Sequence, residues 1–520
     1  MEKNTEKNGL LRRSRRGLLR IVFSRTMLAL FLLVVNCALL LTAAMGLLRE
    51  VPLLLGSATV YTAVMLLIVI NDRENPSVKL SWCAFIAVLP LPGSVLYLFA
   101  RYNWGSRLSR RVQQQSITES AVMLPDGQAQ RRKLNVKDRD FYNLTGYLAR
   151  CGFPVYEAGQ TRYFPLGEDM FREMLTWLEQ ARSSIYLEFF IIAPGRMWGQ
   201  ILQILQQKAQ QGLDVRVLYD GMNALTNLPS DYPAQLEQMG IACRVFSPVL
   251  PLVSSHYNNR DHRKILVIDG EVAFTGGVNL QDRYINAERV FGHWKDTGVM
   301  VCGEAAQSFT AMFLQLWNAG QKQRFFPPYR PGLTWERETG WVIPFGDSPM
   351  DRENVGKMVY MHMLNQAKRY VYIMTPYLIL DGEMVTALQF AAKRGVDVRI
   401  ILPHIPDKKI AFSLAKSHYG ELLESGVKIY EYTPGFVHAK VFLSDDTQAV
   451  VGTINLDYRS LYHHFECGAY LYQTGCLPDI REDFRHTMHL SQQVKQADLK
   501  KQNVIMWLVG KLLKVVAPLL

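Results

Sequence analysis

Two stretches of this 520-residue chain carry the same reactive side chains at the same spacing. In one, His262, Lys264 and Asp269 precede Gly276, Gly277 and Asn279. In the other, His438, Lys440 and Asp445 precede Gly452, Thr453 and Asn455. Each His is followed by Gly at +14 and by Asn at +17. Imidazole titrates near neutrality, so one ring can be neutral and attack while a second is charged and gives up a proton. A Lys two residues on adds positive charge beside each ring. Two copies with matched Gly and Asn are not a coincidence of composition.

The elements that must position these groups are strands. Ile265, Leu266, Val267 and Ile268 follow the first His, and Val441, Phe442 and Leu443 follow the second. Side chains two apart on a strand share a face, so each His–Lys pair points at one target, and Asp269 and Asp445 fall on the other parity in a supporting role. The surroundings repeat as well. Residues 181–192 are echoed by 367–378, residues 208–218 by 392–402, and residues 240–249 by 426–435. Apolar strands such as 185–192 and 215–219 alternate with helical patterns such as 170–178 and 201–210, which predicts an α/β fold of two repeated halves with helix-covered sheets, mixed or parallel.

The pattern H-x-K-x4-D followed by G-[GST]-x-N, present twice, resembles the phospholipase D superfamily. The runs NRDHRKILVIDGEVAFTGGVNL and FVHAKVFLSDDTQAVVGTINLDYRSLYHHFE are very similar to bacterial cardiolipin synthases. The resemblance implies that the halves pack so that both motifs meet in one site. It implies His262 as the nucleophile and His438 as the acid, the reverse order being open. Lys264, Lys440, Asn279 and Asn455 would hold the phosphate, helped by Gly276, Gly452 and Thr453. Each ring needs a carboxylate on its other nitrogen. Glu466, at +28 from His438, occupies the superfamily's position for that acid. In the first half that position is Val290, and Asp296 is the substitute. No metal and no cofactor are implied. Glu188, a charge within an apolar strand, either lines the site or bridges to a basic group in the core.

The N-terminal tail, residues 1–26, is basic. Three apolar segments follow at 27–48, 51–70 and 80–100, each of a length to cross a bilayer, the third interrupted by Pro90, Pro92 and Gly93. Residues 101–140 form a basic and polar linker. The positive-inside rule places both basic stretches in the cytoplasm, which three full spans do not satisfy. The expectation is a multi-pass protein of the bacterial cell membrane with its catalytic part in the cytoplasm. Residues 71–76 with the third segment are also similar to the membrane module of cardiolipin synthases. The halves are assigned to 141–340 and 341–490. Residues 491–520 form a basic amphipathic helix that lies on a membrane or docks on the catalytic part. Seven cysteines without a CxxC or Cys/His cluster suggest neither a disulfide framework nor a zinc site.

A net charge of +12 favours an anionic partner, and the apolar segments make that partner an anionic bilayer and not nucleic acid. The resemblance implies transfer of a phosphatidyl group from one phosphatidylglycerol to another, giving cardiolipin and glycerol through a phosphatidyl-histidine. The alternative is a hydrolase or nuclease of the same superfamily, with water as acceptor. A non-catalytic scaffold is disfavoured because both His–Lys pairs are intact.

Overall fold

The computed structural model describes residues 52–101, 104–132, 134, 138–248, 259–321, 323–327, 335, 337–351, 353–499 and 504–519. The segment 27–48 lies outside them. The chain divides into a unit built on the N-terminal helices and a larger unit holding both motifs.

In the N-terminal unit the helices are Pro52–Ile70, Pro76–Val88 and Pro90–Arg101. Asn75 caps the second through Ser77 N, with Pro76 in the first turn, where its missing N–H costs nothing. The segment 80–100 is therefore not one span: the helix ends at Leu89, and Pro90 starts another. Gly93 lets these two helices meet, because a Cβ there would press on the Ile86 backbone. Among the described residues no helix is long and apolar enough to cross a membrane.

The larger unit contains two sheets with the same strand order. The seven-stranded sheet runs 161–164, 298–302, 272–276, 264–268, 184–189, 214–220, 242–246. The ten-stranded sheet repeats that order as 341–347, 464–472, 448–452, 441–444, 370–374, 397–403, 428–432, with additions at its edges. The sheets are mixed: the last three strands of each series run parallel and the other neighbours antiparallel. Those strands are linked through helices, whereas each motif strand turns straight back as a hairpin.

The hairpin turns explain Asp269 and Asp445. Asp269 and Gly270 have φ of 56° and 69°, and Asp445 and Asp446 have 55° and 60°, the left-handed pair that a tight hairpin needs. Each Asp then accepts hydrogen bonds from the backbone that leads into the neighbouring strand. Asp269 takes Ser183 N at 2.7 Å and Ser184 N at 2.9 Å, and Asp445 takes Arg369 N at 2.8 Å and Tyr370 N at 2.9 Å. Asp269 sits five residues along a strand from Lys264, about 16 Å away at the usual rise. Both Asp residues belong to the scaffold and not to the reacting group of side chains.

One core joins the inner faces of both sheets. Helix Ala306–Trp317 is buried nearly all round, and its Phe309 and Phe313 pack in one cluster with Tyr186, Ile265 and Val267 of one sheet and Val441 and Leu443 of the other. Apolar side chains on both faces of the motif strands follow from this double cover.

Two boundaries differ from expectation. The stretch expected as a linker contains a helix, Trp104–Ser120, whose polar side chains are engaged: Ser116 donates to Gln315 O at 2.9 Å and Gln113 to Ser348 Oγ at 3.3 Å. Its polarity reflects packing by hydrogen bonds. Residues 491–494 are an edge strand of the ten-stranded sheet, and the C-terminal helix proper is Val504–Val516. That helix docks through Lys514 to Glu421 at 2.8 Å, with Gly510 close to the Ser413 backbone.

Asp269→Ala and Asp445→Ala are each expected to lower stability by about 2 kcal/mol, from backbone amides left without a charged acceptor. Turnover per folded molecule should stay within a few-fold of the parent. Denaturant midpoints beside activity at 25 °C check this; lost turnover at unchanged stability would return these residues to the chemistry.

Candidate active site

The halves bring the motifs together by pairing crosswise. The residues before His262 form a short parallel bridge with the strand that carries Glu466, registering Arg260 with His464 and Asp261 with Phe465. The residues before His438 pair in parallel with His293–Lys295, just ahead of Asp296. His262 N donates to Phe465 O at 2.9 Å and His438 N to Lys295 O at 2.7 Å. Each histidine is thereby delivered to the acid of the other half.

His262 Nδ1 lies 2.9 Å from both oxygens of Glu466, and His438 Nδ1 lies 2.7 Å from Asp296 Oδ2. An acid on Nδ1 fixes the tautomer and leaves Nε2 to face a substrate. Thr453 serves this arrangement and not a phosphate, since its hydroxyl bonds Glu466 Oε2. Asp296 is held by Thr297 N at 2.9 Å and approached by Trp294 Nε1 at 3.4 Å. Gly277 belongs to this set although only its position in the motif was apparent beforehand. A Cβ at 277 would collide with Asp296 Oδ1 and crowd the His438 carbonyl. Gly276 and Gly452 face strand backbone instead: a Cβ would strike Thr297 and Gly298 in one half, Cys467 and Gly468 in the other.

Lys264 and Lys440 are buried. Lys264 Nζ donates to His262 O at 2.5 Å; Lys440 Nζ bonds His438 O and lies 2.9 Å from His438 Nδ1. Burial pulls Lys264 down to about 8 and Lys440 to about 7, the nearby carboxylates opposing it. Burial also pulls His262 to about 3 against the attraction of Glu466, and His438 to about 4, with Lys440 adding to the fall and Asp296 opposing it. Burial alone would raise Asp296, but its contacts with His438 and Lys440 hold it below the ordinary carboxylate range. The resting rings are therefore neutral beside cationic amines, an environment that an arriving phosphate monoanion completes.

The two Asn residues differ. Asn279 is used by the protein: its Oδ1 accepts Ile191 N at 3.0 Å and its Nδ2 donates to Tyr284 OH at 2.8 Å. Asn455, 5% exposed, has an Oδ1 with no hydrogen-bond partner. Glu188 is the core bridge and does not line the site: Arg263 Nε is 2.6 Å from its Oε1, Asp261 is the second acid on that guanidinium at 3.4 Å, and all three are buried. Burial raises Glu188 above the ordinary carboxylate range, against the attraction of the Arg263 guanidinium. Sequence reasoning missed the aromatic walls. Phe190 stands edge-on to His262 at 5.1 Å, and Tyr284 and Trp294 lie 5.4 and 5.3 Å from His438. His262, His464 and Glu466 each offer a ligand atom within 4.8 Å of the others, the one grouping among the described residues that could hold a cation. A His/His/carboxylate set suits zinc, but Glu466 is already engaged by His262 and Thr453.

Gly277→Ala should reduce turnover of a chromogenic phosphodiester about 100-fold, by displacing Asp296 from His438. Unaltered turnover would show that Asp296 does not position that ring. For the parent chain, kcat/KM should fall as pH rises through about 7 to 8, because Lys440 and then Lys264 lose their charge above their lowered values. A flat profile from pH 6 to 9 would contradict this.

A family model described as "Cardiolipin synthase, PLD-like domain" matches residues 174–317 and 360–488, and one described as "Phospholipase_D-nuclease N-terminal" matches 59–101. A Streptococcus mutans protein described as uncharacterized is 52% identical over 87% of this chain and 99% of its own length. A cardiolipin synthase of Geobacillus kaustophilus is 36% identical over 81% of this chain and 85% of its own. The crystal structure of a phosphatidylserine synthase from Haemophilus influenzae Rd KW20 shares the fold, with a TM-score of 0.55 at 17% identity over 74% of this chain and 98% of that one. The two half-site motifs, their shared geometry and these matches place the chain in the cardiolipin synthase family of phospholipase D-like proteins.

Proposed function

We infer that this chain is a phosphatidyltransferase that converts two phosphatidylglycerol molecules into cardiolipin and glycerol. The observation that carries the reading is the pair of crossed His–acid contacts, which prepares one imidazole to attack and the other to move a proton. In the first step a ring nitrogen bonds phosphorus, the bond to the headgroup oxygen breaks, and the second ring, which takes up a proton as the phosphodiester brings its negative charge into the site, gives that proton to the departing glycerol. In the second step that ring takes the proton of an acceptor hydroxyl, whose oxygen bonds phosphorus as the P–N bond breaks. The chain ends as it began, with one phosphodiester exchanged for another. Following the resemblance, His262 is the attacking ring and His438 the acid and base.

The site works at a membrane in this reading, and phosphatidylglycerol is both donor and acceptor. The N-terminal helices support it, exposing Val60, Leu67, Ile70, Leu80 and Val88 on surfaces without apolar cover, and Leu508 and Leu512 are exposed on the C-terminal helix. A bilayer of the bacterial cell membrane, with the catalytic unit on its cytoplasmic side, accommodates these surfaces and supplies the lipids.

Purified protein given phosphatidylglycerol in detergent micelles with a metal chelator is expected to release cardiolipin and glycerol in equal amounts. His262→Ala and His438→Ala should each lower the rate by at least about 1,000-fold. Phosphatidic acid as the sole lipid product would make the chain a hydrolase.

A further inference from the structure

The repeat allows the two walls of the site to be compared position by position. Trp294 stands two residues before Asp296, and His464 two before Glu466. Tyr284 stands five after Asn279, and Ser460 five after Asn455. An Arg stands four after each Asn, Arg283 and Arg459. In the first half these positions are filled: Tyr284 satisfies Asn279, and Arg283 lies over the Trp294 ring at 5.9 Å. In the second half they are open. His464 is 9% exposed, its ring centroid is 5.5 Å from that of His262, and neither of its ring nitrogens has a hydrogen-bond partner. Ser460 Oγ and Asn455 Oδ1 are buried without partners as well. Arg459 is exposed, with the Asp457 carboxylate and the Arg260 guanidinium within its electrostatic reach. It lies within electrostatic reach of His463, which is in turn within reach of His464.

Buried polar groups are rarely left unpaired, and this cluster adjoins the reacting ring. Two carboxylates lie nearby, and neither makes a hydrogen bond to a ring nitrogen of His464. Glu466 serves His262 and Thr453, and its Oε1 is 3.6 Å from His464 Nδ1. Asp457 accepts Ser460 N at 2.8 Å. The unpaired ring of His464 and the guanidinium of Arg459 together suit an acceptor-rich anion, and that guanidinium is the donor best matched to a phosphate.

We propose that Arg459, His463 and His464 form a second anion subsite, which holds the phosphodiester of the acceptor lipid while its glycerol hydroxyl enters the reacting centre. The proposal rests on the transferase reading above and adds to it the reason an anionic lipid alcohol is preferred over a neutral one. Arg459 charges the subsite, and His464 joins it to the reacting centre beside His262.

The test is a competition for the phosphatidyl-enzyme. The full chain receives phosphatidylglycerol together with a monoacylglycerol, which presents the same kind of hydroxyls in the same micelle but has no phosphate. The products are cardiolipin and the monoacylglycerol adduct, and their ratio is measured at fixed lipid composition. Arg459→Ala and His463→Ala are expected to lower that ratio about tenfold, with Arg459→Lys restoring most of it. Should Arg459→Ala fold poorly, the ratio in Arg459→Gln is read instead. An unchanged ratio, whatever the total rate, overturns the subsite while leaving the transferase in place. Failure of the transferase reading shows earlier, as no cardiolipin from the unaltered chain, and takes the subsite with it.

Discussion

The site depends on the exchange of acids between the halves. Two short parallel bridges, Arg260–Asp261 with His464–Phe465 and Gly435–Val437 with His293–Lys295, carry each histidine to a carboxylate on the other side. The constraint is strict because strand pairing sets side-chain position in steps of one residue. A slip by one in either bridge would turn His262 from Glu466, or His438 from Asp296. The glycines serve the same end. Gly277 admits the Asp296 carboxylate, while Gly276 and Gly452 let a neighbouring strand come close enough to hold the end of each motif hairpin. Neither half alone contains a histidine with its acid, so the reacting unit is the pair.

Within that frame the electrostatics lean toward an anion that is not yet there. Two buried lysines near two neutral imidazoles cost free energy, which is why burial lowers all four groups. Glu466 and Asp296 offset part of that cost but are committed to the rings. A phosphodiester entering between the rings supplies the missing charge and raises the affinity of the nearby imidazole for the proton it must later give up. The same burial that makes the empty site reluctant to charge thus makes it responsive to substrate.

Much of this was legible in the residues. The doubled spacing marked His262, Lys264, His438 and Lys440, and the period-2 pattern separated Asp269 and Asp445 from them. The left-handed turn that employs those two Asp residues was written as Asp269-Gly270 in one copy and Asp445-Asp446 in the other. What could not be read was pairing between segments distant in sequence. Glu466 and Asp296 could be nominated as orienting acids, but their exchange across the halves is set by bridges of two or three residues with no periodic signature. Composition misled at 104–120, where polar residues spaced on a helix look like linker until their partners, such as Gln315 and Ser348, are known. Which strands of the mixed sheets run parallel could not be read either, because hairpin and crossover connections both separate apolar runs.

The buried ionic group beneath His262 sharpens what the repeat means. Glu188, Asp261 and Arg263 correspond in register to Met374, Val437 and Ala439, since Glu188 faces Ile265 and Met374 faces the equivalent Val441. One half therefore builds this layer from charges and the other from apolar side chains on the same backbone. Apolar replacement of a buried ion cluster is often neutral or stabilising, so the fold itself does not require the charges. Asp261 and Arg263 flank His262, Glu188 stands on the strand Ser184–Phe189, and Asp261 belongs to the bridge that registers Arg260 with His464, the side of the site where polar atoms stay unpaired. On the His438 side, Met374, Val437 and Ala439 are buried in the shared apolar core, and Tyr284 and Trp294 flank the ring. A duplicated scaffold with one chemical core has in this way acquired two unlike surroundings, one polar beside His262 and one apolar beside His438.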